Sequence, residues 1–214
     1  SIRASSSVQW REVTMRQVTG RSSNNSENKA SIRLASGGRF FSASSLGSIP
    51  ENEDVIVCID TPRVTLVPQA LTNNISADSA LAITGQRVED SEIAIYSEPH
   101  DDMCAAIAIS KECYQNLVDL YSSRLKLTTP LLSTTHSSER SLALEIAGNI
   151  CYIRLYDNSL KLAEAIEVAS AAELVFYITN ILNISGVPTT IPIYIIGTKE
   201  YVKALKKYYK VICE

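Results

Sequence analysis

Four places along the chain hold residue types that could do chemistry. The loop Glu98-Pro99-His100-Asp101-Asp102 gathers three carboxylates and an imidazole, the oxygen-rich donor set that divalent cations take. Nothing elsewhere in the sequence closes such a site, and acidic loop tips are common on surfaces, so no metal is expected there. His136 stands beside Ser133, Ser137, Ser138 and Glu139, the residue types of a hydrolase without the GxSxG elbow that would sharpen a serine. That stretch reads as a polar connection. Lys199, Lys203, Lys206, Lys207 and Lys210 alternate with Tyr201, Val202, Leu205, Tyr208 and Tyr209. A lysine stripe of this kind can neutralise phosphates or carboxylates of a partner, and it is equally the solvated face of an amphipathic terminal helix. The fourth place is the set of thiols, Cys58, Cys104, Cys113, Cys151 and Cys213, odd in number and without a CxxC pair. Four lie in the apolar runs VIVCID, MCAAIAI, NICYIRL and VIC, where a reduced cysteine packs as a small hydrophobe in a reducing, cytoplasmic compartment. With two histidines, neither at ligand spacing from a cysteine, no zinc site is expected.

These residues must be held by something. The chain has 214 residues, 45% hydrophobic and 20% charged, enough for one domain or two small lobes around a sizeable core. A net charge of −3 argues against coating by nucleic acid. No run reaches the about 18 apolar residues of a membrane span; Ala171–Ile184 is interrupted by Glu173, Thr179, Asn180 and Asn183. Residues 1–29 are set apart as a polar, basic extension, rich in serine and asparagine, with Arg3, Arg11, Arg16, Arg21 and no apolar secretion signal. Trp10 favours partial docking over a free tail.

From Ala30 the pattern is strand after strand. Ser31–Leu34 alternates, Gly37-Gly38 turns and Arg39–Ala43 returns, which predicts a hairpin. Val55–Ile59 is a central strand, Val64–Val67 ends at Pro68, and a helix follows around Ser76–Ile83. Ile93–Tyr96 and Cys104–Ile109 form a strand pair, and Ser110 caps a helix with Cys113, Leu117, Leu120 and Tyr121 on one face. A first lobe, 30–137, closes there. In the second, 138–214, Leu142–Ala147 and Ile150–Tyr156 make a hairpin across Gly148-Asn149, and Lys161–Val168 adds a third strand. Ser170-Ala171-Ala172-Glu173 is a capping box that opens a helix ending near Gly186. Ile191–Ile196 is a strand, and Gly197-Thr198 starts a last helix over Lys199–Lys210. The fold class is α/β, with two related lobes, each a β-meander with added helix and strand.

Duplicated lobes of this order resemble the actin-like ATPase (ribonuclease H-like) superfamily. More narrowly, Asp60-Thr61-Pro62-Arg63-Val64-Thr65-Leu66-Val67-Pro68, Ala105–Ile107 and Pro192-Ile193-Tyr194-Ile195-Ile196-Gly197 resemble a bacterial family of unknown function thought to share that fold. The resemblance implies a phosphate-binding hairpin in each lobe, whose acid orients Mg2+ or water. Leu144-Glu145-Ile146-Ala147-Gly148-Asn149 takes that place in the second lobe, with Glu145 as the acid and Gly148 and Asn149 in the turn. In the first lobe Arg33 stands where an acid belongs. A guanidinium cannot hold magnesium or accept a proton, so Arg33 reads as a solvated strand residue. Gly197-Thr198 keeps half of the adenosine-contacting glycine pair; its other reading is a strand-to-helix corner with Thr198 as N-cap.

The expectation is therefore a non-catalytic binding or assembly module with an unidentified protein partner, no cofactor, no metal and no membrane role. The alternative is a nucleotide-binding protein taking ATP or ADP with Mg2+ through Glu145, Gly148, Asn149, Gly197 and Thr198. A weaker alternative is a nucleic-acid-associated protein using Lys199, Lys203, Lys206, Lys207 and Lys210. The oligomeric state is not legible.

Overall fold

A computed structural model describes residues 29–38, 54–132 and 140–213. The readings of residues 1–28, of the returning strand Arg39–Ala43 and of the His136 cluster lie outside them. The described chain runs β1 (Lys29–Leu34), β2 (Asp54–Ile59), β3 (Val64–Pro68), α1 (Ala77–Ile83), β4 (Glu92–Tyr96), β5 (Met103–Ser110), α2 (Lys111–Tyr121) and β6 (Leu125–Thr128). It continues with β7 (Arg140–Ala147), β8 (Ile150–Asp157), β9 (Leu160–Glu167), α3 (Ala171–Ile184), β10 (Ile193–Ile196), α4 (Lys199–Leu205) and β11 (Val211–Cys213).

Three sheets result. The first is wholly parallel in the order β1-β2-β6, with Arg33 opposite Cys58 and Cys58 opposite Thr128. The second is an antiparallel trio, β3-β5-β4. The third has the order β11-β10-β7-β8-β9: β7, β8 and β9 form a meander, and β10 and β11 run parallel to β7. In the first and third sheets three parallel strands thus follow one another in chain order.

The burial pattern explains the layers. In β2 the period of two sends Val55, Val57 and Ile59 into the main core beside Ile32, Leu34 and Leu117. Ile150 and Tyr152 of β8 enter the same core, so one face of the five-stranded sheet covers the first sheet. The other face, Leu142, Leu144, Ile153, Leu155, Ile193 and Ile195, packs under α3 and α4. β5 is buried on both faces; Ala105, Ile107 and Ile109 join the main core, while Ala106 and Ala108 meet α1 in a small third one. Alanines at those positions let a helix approach the sheet closely.

Local signals held. Ser110 Oγ accepts from the Cys113 N–H at 3.3 Å, capping α2. Ser170 Oγ accepts from the Glu173 N–H at 3.2 Å, and Glu173 reaches back to the Ala169 N–H at 2.6 Å, one residue before the usual box partner. Gly148, at φ 62, turns the β7–β8 hairpin.

Non-local features differ from expectation. Among the described residues Val55–Ile59 (β2) pairs with β1 in parallel and so does not close a meander, and β3 pairs with β5; the expected strand Arg39–Ala43 lies outside the described residues. The strands β6 and β11 were not foreseen. The last helix stops at Leu205, because the chain must reverse to lay β11 beside β10. Tyr208, expected on the apolar side, is 67% exposed. Among the described residues no helix is long and apolar enough to cross a membrane.

Candidate functional site

At the C-terminal ends of parallel strands an open α/β sheet presents loops and side chains to ligands. Here the ends of β1, β2 and β7 bring Arg33, Asp60 and Glu145 together. Arg33 donates from Nε to Asp60 Oδ2 at 2.7 Å and from Nη2 to Asp60 Oδ1 at 2.8 Å. Its Nη1 donates to Glu145 Oε1 at 2.6 Å. Asp60 closes the apolar run of β2, so alternation turns it away from the core and onto the face that carries Cys58 and Arg33. Both acids are buried, Asp60 at 5% and Glu145 at 7% exposure, whereas the Arg33 side chain is 41% exposed. Buried carboxylates need a counter-charge, and a bidentate guanidinium is the geometry best suited to provide one.

Burial pushes the Asp60 carboxyl above its usual range; the bonds and charge of Arg33 pull it back, and Glu145 pushes it further up. For Arg33, burial lowers proton affinity, but its bonds to Asp60 and the charges of Asp60 and Glu145 outweigh it and hold the guanidinium firmly protonated. The Cys58 thiol is pushed up to about 12, first by burial and then by Asp60. Beside the triad, the Tyr152 hydroxyl accepts from the Thr61 N–H at 2.8 Å and donates to the Thr61 carbonyl at 3.3 Å. Burial raises the Tyr152 phenol, with Asp60 acting in the same direction.

The glycine amides of the neighbouring turn are satisfied, one within the turn and one by the end of β2. The Gly37 N–H bonds the Asp60 carbonyl at 2.8 Å, the Gly38 N–H bonds the Ala35 carbonyl at 3.0 Å, and the Asp60 N–H bonds the Leu34 carbonyl at 2.8 Å. A Cβ on Gly38 would fall 2.3 Å from Cys113 Sγ, so this turn is pressed onto α2.

Of the residues singled out in the sequence, Glu145 and Gly197 are brought close: Glu145 is opposite Ile196, at the end of β10. Gly197 has a packing role, since a Cβ there would sit 3.2 Å from Ile146 Cδ1. Thr198 occupies the N-cap position of α4 but makes no side-chain cap bond. Gly148 and Asn149 form the exposed hairpin tip, where Asn149 Nδ2 reaches Glu167 Oε1 at 3.3 Å. Lys199, Lys203, Lys206, Lys207 and Lys210 are all exposed, but only the first two lie within α4. In the acidic loop His100 pairs with Asp101 at 3.8 Å and Glu98 with Lys126 at 3.6 Å. Among the described residues no group of three or more ligating side chains could hold a metal.

Arg33 is the main correction: it is the centre of an ion-pair cluster, not a free strand residue. In the sequence Asp60 reads only as the head of the resemblance run and Tyr152 only as a strand residue, and neither is singled out for the site. The available signal was a set of single charges inside otherwise apolar strands, SIRL, VIVCID and LEIA, each of which must find a partner on folding.

The family of proteins of unknown function DUF3822 matches residues 17–212. None of the curated proteins matches the chain. A solved structure from Bacteroides thetaiotaomicron VPI-5482, a protein with actin-like ATPase fold and unknown function, is similar at a TM-score of 0.64 and 15% identity. The likeness covers 76% of this chain and 68% of that one, and it shows the fold alone. The cytoplasmic domain of EpsL, an inner membrane component of the type II secretion system of Vibrio cholerae, is similar at a TM-score of 0.44 and 11% identity, over 84% of this chain and 93% of that one. That likeness is too slight to argue from.

Proposed function

Because the chain belongs to the DUF3822 family, whose function is unknown, we propose a role from its geometry: a non-catalytic module of actin-like ATPase fold that binds or assembles with a protein partner. In this reading residues 30–137 and 138–214 are two related lobes. The repeated order of three parallel strands, β1-β2-β6 and β7-β10-β11, supports the duplication.

One observation carries the non-catalytic reading. The guanidinium of Arg33 already holds both acids, Asp60 and Glu145, at 2.6–2.8 Å. Magnesium with a nucleotide, the group that the fold family implies, does not fit these residues. The acids that would orient the ion are engaged, and the Gly37 and Gly38 amides that would cradle a phosphate are already bonded to the Asp60 and Ala35 carbonyls. With both acids ionised the cluster sums to about −1, which repels a polyphosphate.

Calorimetric titration of the folded protein with ATP and with ADP, each with Mg2+, tests this. No heat at millimolar nucleotide is expected. Micromolar binding overturns the reading, and its loss in Gly148→Arg would assign it to the β7–β8 hairpin with Glu145, Asn149, Gly197 and Thr198. The partner face in this proposal includes the exposed Lys199, Lys203, Lys206, Lys207 and Lys210, and the setting is a bacterial cytoplasm, where the free thiols stay reduced.

A further inference from the structure

We propose that the outer face of α3, with the lysines packed beside it, is a docking surface for an acidic amphipathic helix of a partner protein. The inference rests on the protein-binding reading above and adds to it the face and the chemistry of the partner. Phe176, Asn180, Asn183 and Ile184 recur at i, i+4, i+7 and i+8 on the side of α3 turned away from the buried Leu174, Ile178 and Leu182. Phe176 is 67% and Ile184 78% exposed, about 12 Å apart along the helix axis. An edge contact with Tyr177, ring centres 6.0 Å apart, sets the Phe176 ring. The outward face of a surface helix ordinarily carries charge, but no residue from Leu174 to Thr198 is charged.

Beside this face the charge is concentrated. Residues 199–210 hold five lysines against Glu200, a local excess of +4 in a chain whose net charge is −3. Lys203, Lys206, Lys207 and Lys210 are exposed and form no ion pair among the described residues, whereas Arg33, Arg63, Lys126 and Arg140 all do. The hydroxyls of Thr179 and Tyr209 meet at 2.5 Å, which sets the lysine segment against the middle of α3, between Phe176 and Ile184. Tyr208, 67% exposed, adds a second outward ring. An uncharged strip with apolar anchors, bordered by unpaired lysines, is complementary to a helix with apolar residues at i, i+3, i+4 and i+7 and acids along its flank. The asparagines favour a protein over a lipid surface. Asn180 and Asn183 lie between the two anchors, and their amides need hydrogen-bond partners that a protein supplies and acyl chains do not. Ile184, the most exposed of the anchors, offers a nucleic-acid base nothing to stack on.

The test pans a phage library of random sixteen-residue peptides against the folded full chain. Enriched peptides should carry acids together with apolar residues at helical spacing. A fluorescein-labelled copy of the best one should lose at least tenfold in affinity to Phe176→Ser with Ile184→Ser. It should lose as much to Lys203→Glu with Lys207→Glu, and added salt should weaken its binding to the unmodified protein. Circular dichroism checks the fold of each variant, and Phe176→Ala with Ile184→Ala replaces a serine pair that does not fold. The proposal is overturned by no enrichment, by enriched peptides without acids or without helical spacing, or by equal affinity in either pair of variants. It is also overturned if single-stranded DNA, or vesicles of phosphatidylcholine with phosphatidylserine, bind more tightly than the peptide and lose that binding in the same variants. Peptides held equally by the variants would sink only this inference and leave the protein-binding reading standing; micromolar Mg2+-nucleotide binding would sink the non-catalytic reading without touching α3.

Discussion

Replacing Arg33 by methionine keeps a long apolar stem and deletes the charge that joins two sheets. Removing one partner of a fully buried ion pair costs about 3–5 kcal/mol. Two-fifths of the Arg33 side chain is in solvent, so screening brings the expected loss down to roughly 2 kcal/mol at pH 7.5. For a chain of this size that lowers Tm by about 4–8 °C. The pH dependence is the sharper readout. Burial already holds the Asp60 carboxyl above its usual range, and Arg33 pulls it down more than the other lowering partner, Tyr152. In Arg33→Met the pull is gone and Asp60 rises further. A carboxyl whose folded pKa is raised supports the fold fully below its unfolded value, about 3.9, and that support is lost as pH rises through the folded pKa. The stability gap between the unmodified protein and Arg33→Met should therefore be widest at pH 7.5 and narrow toward pH 5. Urea denaturation of both proteins at the two pH values measures it. A gap at pH 5 equal to or larger than that at pH 7.5 refutes the reasoning, because the cost would then be lost packing and not two acids facing each other uncompensated.

Three further outcomes follow from named contacts. Tyr152→Phe removes the acceptor of the buried Thr61 N–H and should cost about 1–3 kcal/mol in urea, while Tyr208→Phe, at an exposed ring, should stay within about 0.5 kcal/mol. Burial pushes the thiols of Cys58, Cys113 and Cys151 up to about 12, and Cys104 is also buried and raised. A thiol-disulfide reagent at pH 8 should then react fast with exposed Cys213 alone and with all five cysteines only after unfolding; fast modification of Cys58 would contradict this. Gly197→Ala should lose about 1 kcal/mol through contact with Ile146, part of it regained by adding Ile146→Val; thermal denaturation of the single and double variants decides.

What the sequence disclosed and what it hid divide along contact distance. The Ser170–Glu173 box, the Ser110 cap and the Gly148-Asn149 turn each depend on residues three or four apart, and all three were legible. The strand β6, with the sequence LKLT, and β11, with VIC, are short and lie next to lysines. Both become strands only because a parallel neighbour, β2 or β10, is delivered from far along the chain. The same limit concealed the cluster. Arg33 meets Asp60 at a separation of 27 residues and Glu145 at 112, so no local pattern could pair them. Yet the constraint was present in the letters. An aspartate ending VIVCI and a glutamate between leucine and isoleucine are charges that folding draws out of water, and the arginine between isoleucine and leucine is drawn partly out of it. Each is costly alone. Three such residues, with opposite signs and at strand ends, satisfy one another only if the sheets close across them. That makes the closure of the first sheet on the five-stranded one and the occupation of its acids a single event.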